Sequence, residues 1–216
     1  MVAAVDALAT LSAAGFDLAH TFDAAAAAGE PGLAMLAGGD RLGILIGNTR
    51  ALWPPFSAAL RDPALAAEPD PLERYTERVI EGAFAPGEAA FAPGGAGPRI
   101  YYGHRRYGGA FVPLQRLAAA TGLGAIADNQ LVIHPIYGPW FALRAVVVTA
   151  GDPPARQPIA QPCRCDASCR ERFERAQRSM EPGDWLAVRD ACSLRAWRYT
   201  DDHVGYHYAR MTQATR

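Results

Sequence analysis

The residues best suited to chemistry lie in the last third of the chain. All four cysteines are there, Cys163, Cys165, Cys169 and Cys192, the first three in a Cys-x-Cys-x-x-x-Cys run. Four thiolates are the number of soft ligands that one zinc ion or one iron–sulfur cluster takes. Three thiols near a helix start are also found unligated, and a chain that opens without an export signal has little use for a disulfide framework, so free thiols and a metal site both stay open. His203 and His207 are four apart, which puts both imidazoles on one helical face. That spacing is shared with zinc proteases, but Val204 rather than glutamate follows His203, so the general base of that chemistry is absent and a partly buried helix face is expected. Gly122-Leu123-Gly124 lacks the third glycine and the preceding strand of a dinucleotide fingerprint; it is read as a helix stop.

Composition narrows the class. Half of the 216 residues are hydrophobic, enough for one sizeable core, and a single domain over 1–216 is expected, with a cysteine-containing C-terminal segment over 161–216. A net charge of -1 provides no basic field for nucleic acid, so a small molecule or a protein is the expected partner. All 21 basic residues are arginine; the excess of alanine, glycine and proline marks this as a base-composition bias. No apolar run reaches the roughly 18 residues of a membrane helix, and Asp6 with no basic start argues against a signal peptide. No membrane partner and a cytoplasmic location are expected.

The elements that must position these residues follow from periodicity. Val5, Leu8 and Leu11 suit an amphipathic first helix, and Leu42 to Ile46, bounded by Gly47-Asn48-Thr49, a buried strand. Asp70-Pro71-Leu72-Glu73 has the form of a capping box and predicts a helix to about residue 83. Residues 85–98 are rich in Gly, Pro and Ala without periodicity, a flexible excursion whose tip could cover a site. Ile100-Tyr101-Tyr102 starts a strand, and Pro113-Leu114-Gln115 opens a helix that stops before Gly122. Leu131 to Ile133 and Phe141 to Val148 read as two strands whose short joint leaves no room for a crossover helix. They are expected to pair antiparallel, which favours an α+β sheet over a doubly wound one. A charged helix over 169–180 and a last helix from Thr200-Asp201-Asp202 complete the chain.

The string from Ile133 to Arg144, Ile-His-Pro-Ile-Tyr-Gly-Pro-Trp-Phe-Ala-Leu-Arg, resembles a segment of the CblC family of cobalamin-processing proteins. The resemblance extends in order over about three quarters of the chain, through Leu42 to Thr49, Asp70-Pro71, Leu114-Gln115-Arg116, Arg189-Asp190-Ala191 and the tyrosine-bounded stretch Tyr199 to Tyr208. It implies a flavin-nitroreductase-like sheet with packed helices and a corrinoid cavity beside the sheet. It also implies cobalamin held base-off, with glutathione as co-substrate for alkyl corrinoids and reduced flavin, FMN or FAD, as the electron source for decyanation.

The resemblance also assigns roles. Arg144 and Arg189 would bind the thiol, with Arg210 or Arg216 as a third. Arginine suits this because a planar guanidinium takes a carboxylate bidentately, and glutathione carries two. Ile100, Tyr101, Tyr102, Gly103, Pro113, Leu114, Gln115, Val132 and Leu143 would contact the corrinoid, whose amide-rimmed ring needs apolar walls with a few polar groups. The family's histidine before the Gln-Arg motif is replaced here by Arg106 or Tyr107, and His104 is the nearest substitute. Two alternatives accompany the processing enzyme. One is a corrinoid carrier without turnover. The other is an iron–sulfur corrinoid reductase similar to the epoxyqueuosine reductases, against which the cysteine spacing argues, since two clusters need Cys-x-x-Cys-x-x-Cys-x-x-x-Cys-Pro runs. A weak homodimer is the protein partnership left open.

Overall fold

The structure is a computed structural model that describes residues 2–85, 97–155 and 165–214. Val2–Ala13 (α1) leads to Leu18–Asp23 (β1), and the carboxylate of Asp23 accepts from the amides of Ala25 and Ala26 to start the short helix Ala24–Ala27 (α2). Leu42–Asn48 (β2) is followed by three helices, Trp53–Ala59 (α3), Pro63–Ala66 (α4) and Pro71–Ala83 (α5). Then come Arg99–Tyr102 (β3), the hairpin of Arg106–Tyr107 (β4) and Ala110–Phe111 (β5), and Leu114–Thr121 (α6). Ala125–Ile126 (β6) pairs with Val132–Ile133 (β7), Ala142–Thr149 (β8) follows, and Ala167–Ser179 (α7), Pro182–Asp190 (α8) and Asp201–Ala214 (α9) end the chain.

The main sheet has the order β1-β2-β8-β3, with every pairing antiparallel. This is the α+β arrangement that the sequence predicts. The two inner strands read as continuous apolar runs because helices cover both faces. Leu45, Val146 and Val148 pack with Leu114 and Leu117 of α6 on one side, while Ile44, Ile46 and Val147 pack with Leu11, Phe56 and Ile80 on the other. Each such buried side chain contributes roughly 1.5–3 kcal/mol.

Two local expectations are corrected. The strands before and after the His-Pro-Ile-Tyr-Gly-Pro joint do not pair with each other; β7 pairs with β6 and β8 lies in the main sheet. The joint spends its own backbone groups on a tight turn. His134 and Gly138 exchange both N–H···O bonds at 2.9 Å, and the Trp140 amide donates to the Tyr137 carbonyl at 3.0 Å, so the chain leaves in a new direction. At α5, Asp70 makes no side-chain capping bond, and Pro71 in the first turn, which needs no donor, starts the helix. Thr49 does cap the turn after β2, accepting from the Ala51 amide at 3.3 Å, and is itself fixed by Asp17, which accepts from its amide at 2.7 Å. α6 ends at Gly122 in the left-handed conformation, φ +87°. The Gly/Pro/Ala excursion lies almost wholly outside the described residues. Among the described residues, no helix is long and apolar enough to cross a membrane.

Candidate functional site

The central strand β8 carries a fault where the site forms. Ile46 pairs with Ala145 and Gly47 with Leu143, so Arg144 is the extra residue of a β-bulge. A bulge breaks the strict alternation of faces and re-aims a side chain. Here it brings Leu143 to the same face as Val146 and Val148, out of alternation. Arg144 turns towards β2, where its Nε donates to Oδ1 of the Asn48 side chain at 2.7 Å, while Nδ2 of Asn48 donates to the Thr49 carbonyl at 2.9 Å.

A cavity of about 340 Å³ opens beside this bulge, at the small end of the range for ligand sites. Its floor is Phe141, Ala142 and Leu143 of β8 and the turn before it; Leu131 and Val132 form one wall and Leu114 and Gln115 of α6 another. Trp185 and Arg189 of α8, with His207 and Tyr208 of α9, close the remaining side. The lining is mostly apolar with a few polar groups at its edge.

Arg189 is the principal charge on that edge. It stands in the last turn of α8, where the helix dipole favours a cation, and is only 9 % exposed. Its Nη2 donates to the Pro139 carbonyl at 2.7 Å, and its guanidinium lies over the rings of Trp140 and Tyr199. Tyr208 hydrogen-bonds to it as well. Among the described residues, neither Arg189 nor Arg144 has a carboxylate within 4.0 Å. Burial lowers the pKa of Arg144, and Tyr199, Asp70 and Glu73 offset this only at longer range. Arg189 thus lines the cavity, while Arg144 stands at the bulge outside its lining; a desolvated cation with no carboxylate beside it among the described residues is costly unless something anionic joins it.

The α9 histidines sit in the field of these arginines. His203 is 2 % exposed and lies between Tyr199 and Trp53, stacked at 4.0 and 5.3 Å. Burial, then His207 and the two arginines, pushes its pKa down to about 3; burial and the arginines push His207 down to about 4. Both imidazoles are neutral at ordinary pH. The partly buried helix face expected from their spacing is what forms, with His207 reaching the cavity.

The other predicted residues divide. Leu114, Gln115, Val132, Leu143 and Arg189 line the cavity. Gly103 lies behind it, its amide donating to the Arg144 carbonyl at 2.8 Å, and Pro113 precedes the helix that carries Leu114. Ile100 and Tyr102 pack into the opposite core, and Tyr101 donates to the Met35 carbonyl at 2.7 Å. None of these five lines the cavity.

His104 is likewise not among its lining. It bonds Glu77 at 2.8 Å and stacks on Tyr102, because α5 presents an acid to this loop. The Arg210 side chain and Arg216 lie outside the described residues, as does Cys163.

Cys165 and Cys169 are buried with Ala127 and Ile133. Burial and Asp166 push the Cys169 thiol up to about 11, and Sγ donates to the Ala191 carbonyl at 3.8 Å. A metal ligand must be a thiolate, and among the described residues no three ligating side chains gather. Cys163, the first of the four cysteines considered as a metal site with Cys165, Cys169 and Cys192, lies outside the described residues, and Cys165 and Cys169 pack among apolar neighbours.

Sequence reasoning passed over Trp140, Tyr199, Trp185 and Tyr208 as site residues. Trp140 and Tyr199 stood inside motifs already noticed, and an aromatic beside an arginine in matched strings was the available signal. Trp185 had none.

No protein-family model matches the sequence, and no curated protein matches it. Among solved structures, the chain is similar to the crystal structure of a B12-trafficking protein CblC from C. elegans, described as a human MMACHC homologue. The TM-score is 0.66 at 14% identity, over 99% of this chain and 94% of that one. The α+β, flavin-nitroreductase-like architecture expected from the motifs is thus the one observed. Nearly end to end, this chain has the fold of a CblC protein.

Proposed function

We propose that this chain binds cobalamin base-off and removes its upper axial ligand, by thiol-dependent dealkylation of alkylcobalamins and by reductive decyanation of cyanocobalamin. The observation that carries the reading is the buried guanidinium of Arg189, which lines a mostly apolar cavity without a carboxylate of its own among the described residues, with the half-buried Arg144 at the adjoining bulge. The structural neighbour is a B12-trafficking protein, which supports the corrinoid as ligand. Leu114, Val132 and Leu143 supply apolar wall for a ring edge, and Gln115 an amide for the corrin's own amides. A whole cobalamin exceeds about 340 Å³, so in this reading the macrocycle extends past the cavity and the small upper ligand and thiol occupy it.

In the dealkylation, the thiol gives up its proton to solvent and the thiolate sulfur attacks the carbon bonded to cobalt. The carbon–sulfur bond forms, the cobalt–carbon bond breaks, and its electron pair stays on the metal, giving a thioether and cobalt(I). The arginines bind the thiol's carboxylates bidentately and orient its sulfur. For cyanocobalamin, a reduced flavin supplies the electrons when bound.

Mixing the purified protein with methylcobalamin and glutathione without oxygen tests this by absorption spectroscopy. A shift to the base-off spectrum followed by cobalt(I) bands is expected. Arg144→Ala and Arg189→Ala should keep the first and lose most of the second. A base-off shift with no cobalt(I) from the unaltered protein would make it a carrier, and no shift at all would end the reading.

A further inference from the structure

Arg189 is held by aromatic faces where an acid would be expected. Its guanidinium carbon is 4.3 Å from the Trp140 ring centroid and 4.9 Å from that of Tyr199. Trp140 is fully buried and Tyr199 is 2 % exposed, yet the indole Nε1 and the phenol hydroxyl have no hydrogen-bond partner among the described residues. Buried Trp and Tyr normally spend those groups on a partner, and leaving one unmade is costly. The contribution of these two rings at this place is therefore the π face.

A π face stabilises a desolvated cation without neutralising it. A carboxylate would hold the guanidinium too, but it would occupy the fork that an incoming carboxylate needs. Arg198 provides a contrast within the same cluster. Its guanidinium is 5.5 Å from the same Trp140 ring, but Asp190 and Asp201 bind it at 2.7 and 2.8 Å. Tyr199 is held in place by the stack on His203, with ring planes 10° apart, and His203 by Trp53, 11° apart.

We propose that Trp140 and Tyr199 are positioning residues that clamp Arg189 at the cavity as an un-neutralised cation, and so select carboxylate-bearing thiols over neutral ones. The proposal rests on the thiol-dependent reading above. The test compares dealkylation of methylcobalamin by glutathione and by neutral 2-mercaptoethanol. Tyr199→Leu should raise the KM for glutathione about tenfold and leave that for 2-mercaptoethanol within about twofold. Tyr199→Phe, which keeps the face and loses only the hydroxyl, should restore the glutathione KM to within about twofold of the unaltered protein, and Arg198→Ala should leave the ratio between thiols unmoved.

Equal damage to both thiols in Tyr199→Leu would overturn the clamp, and so would a Tyr199→Phe as impaired as Tyr199→Leu, since the hydroxyl would then be the active group. Should melting curves show Tyr199→Leu unfolded, Trp140→Met, which keeps apolar bulk and loses the π face, decides. A raised KM for glutathione alone supports the clamp, and no change or an equal change refutes it. Unaltered protein that binds cobalamin but uses neither thiol would refute the thiol reading, and the clamp with it. Unaltered protein that uses both thiols equally would refute the clamp alone.

Discussion

Two groups of basic side chains flank the main sheet, and they are satisfied in opposite ways. Below β3, Glu77 of α5 takes His104 at 2.8 Å and Arg105 at 2.7 Å, with Arg74 at 3.7 Å. Beside β8, Arg189 and Arg144 are met by the Pro139 carbonyl, the Asn48 amide oxygen and aromatic faces. The first group closes on itself, and its charge is used up in joining a loop to a helix. In the second, Arg189 lines a cavity and Arg144 stands at the adjoining bulge, and neither meets a carboxylate among the described residues. Burial alone does not separate the two; the presence of a carboxylate does. His104, the nearest substitute for the family's histidine, stands in the first group, bonded to Glu77.

The largest effect expected from breaking the contrast is on turnover. Arg189→Ala should lower kcat/KM for glutathione-dependent dealkylation about a hundredfold or more, as the loss of a buried charge-assisted contact does. An anaerobic assay followed at the cobalt(I) bands measures it.

Next comes the turn that presents the Pro139 carbonyl. Gly138 has φ +57°, and a Cβ there would lie 2.1 Å from the Leu194 carbonyl oxygen. Gly138→Ala should cost about 3 kcal/mol in a denaturant titration.

The pH dependence of stability should also separate the two groups. In the folded protein His203 is depressed to about 3, whereas in the unfolded chain it titrates near its ordinary value, about 6.5. The unfolded state therefore binds the proton first, and stability must fall as the pH drops from the unfolded value towards the folded one. His203→Phe, which keeps a stacking ring, should flatten that slope between about pH 6 and pH 4 in thermal melts. Glu77 behaves at a lower pH. Burial opposes its ionisation but the bonds to His104 and Arg105 outweigh it, so its pKa lies below the usual value and the stability it contributes is lost only on further acidification.

The smallest effect is expected from His104→Ala. It should change dealkylation less than about threefold while costing about 1 kcal/mol of stability. A large loss of turnover with unchanged stability would put His104 back in the site and dissolve the contrast.

Much of the fold was legible in the residues. The apolar runs at β2 and β8, the helix from Pro71 and the stop at Gly122 are local patterns, and local patterns carry their own geometry. The pairing of β7 was not legible. Periodicity says that Val132-Ile133 is extended, but its partner is chosen by the turn at His134–Gly138, whose Nδ1 accepts the amides of Ile136 and Tyr137 at 3.1 and 3.3 Å. In the site, Arg189 and the apolar wall residues could be named from motif matches. The bulge that re-aims Arg144 could not, because a bulge is a property of two strands in register and neither strand states it alone.

By itself the sequence determined the class of fold and the extent of the buried strands, since these depend on residue type and short-range spacing. Tertiary structure alone decided which cations are neutralised. Glu77 lies 27 residues from His104, Trp140 reaches Arg189 from the turn before β8 and Tyr199 from the loop after α8, and whether a charge meets an acid or an aromatic face is settled only when those segments meet.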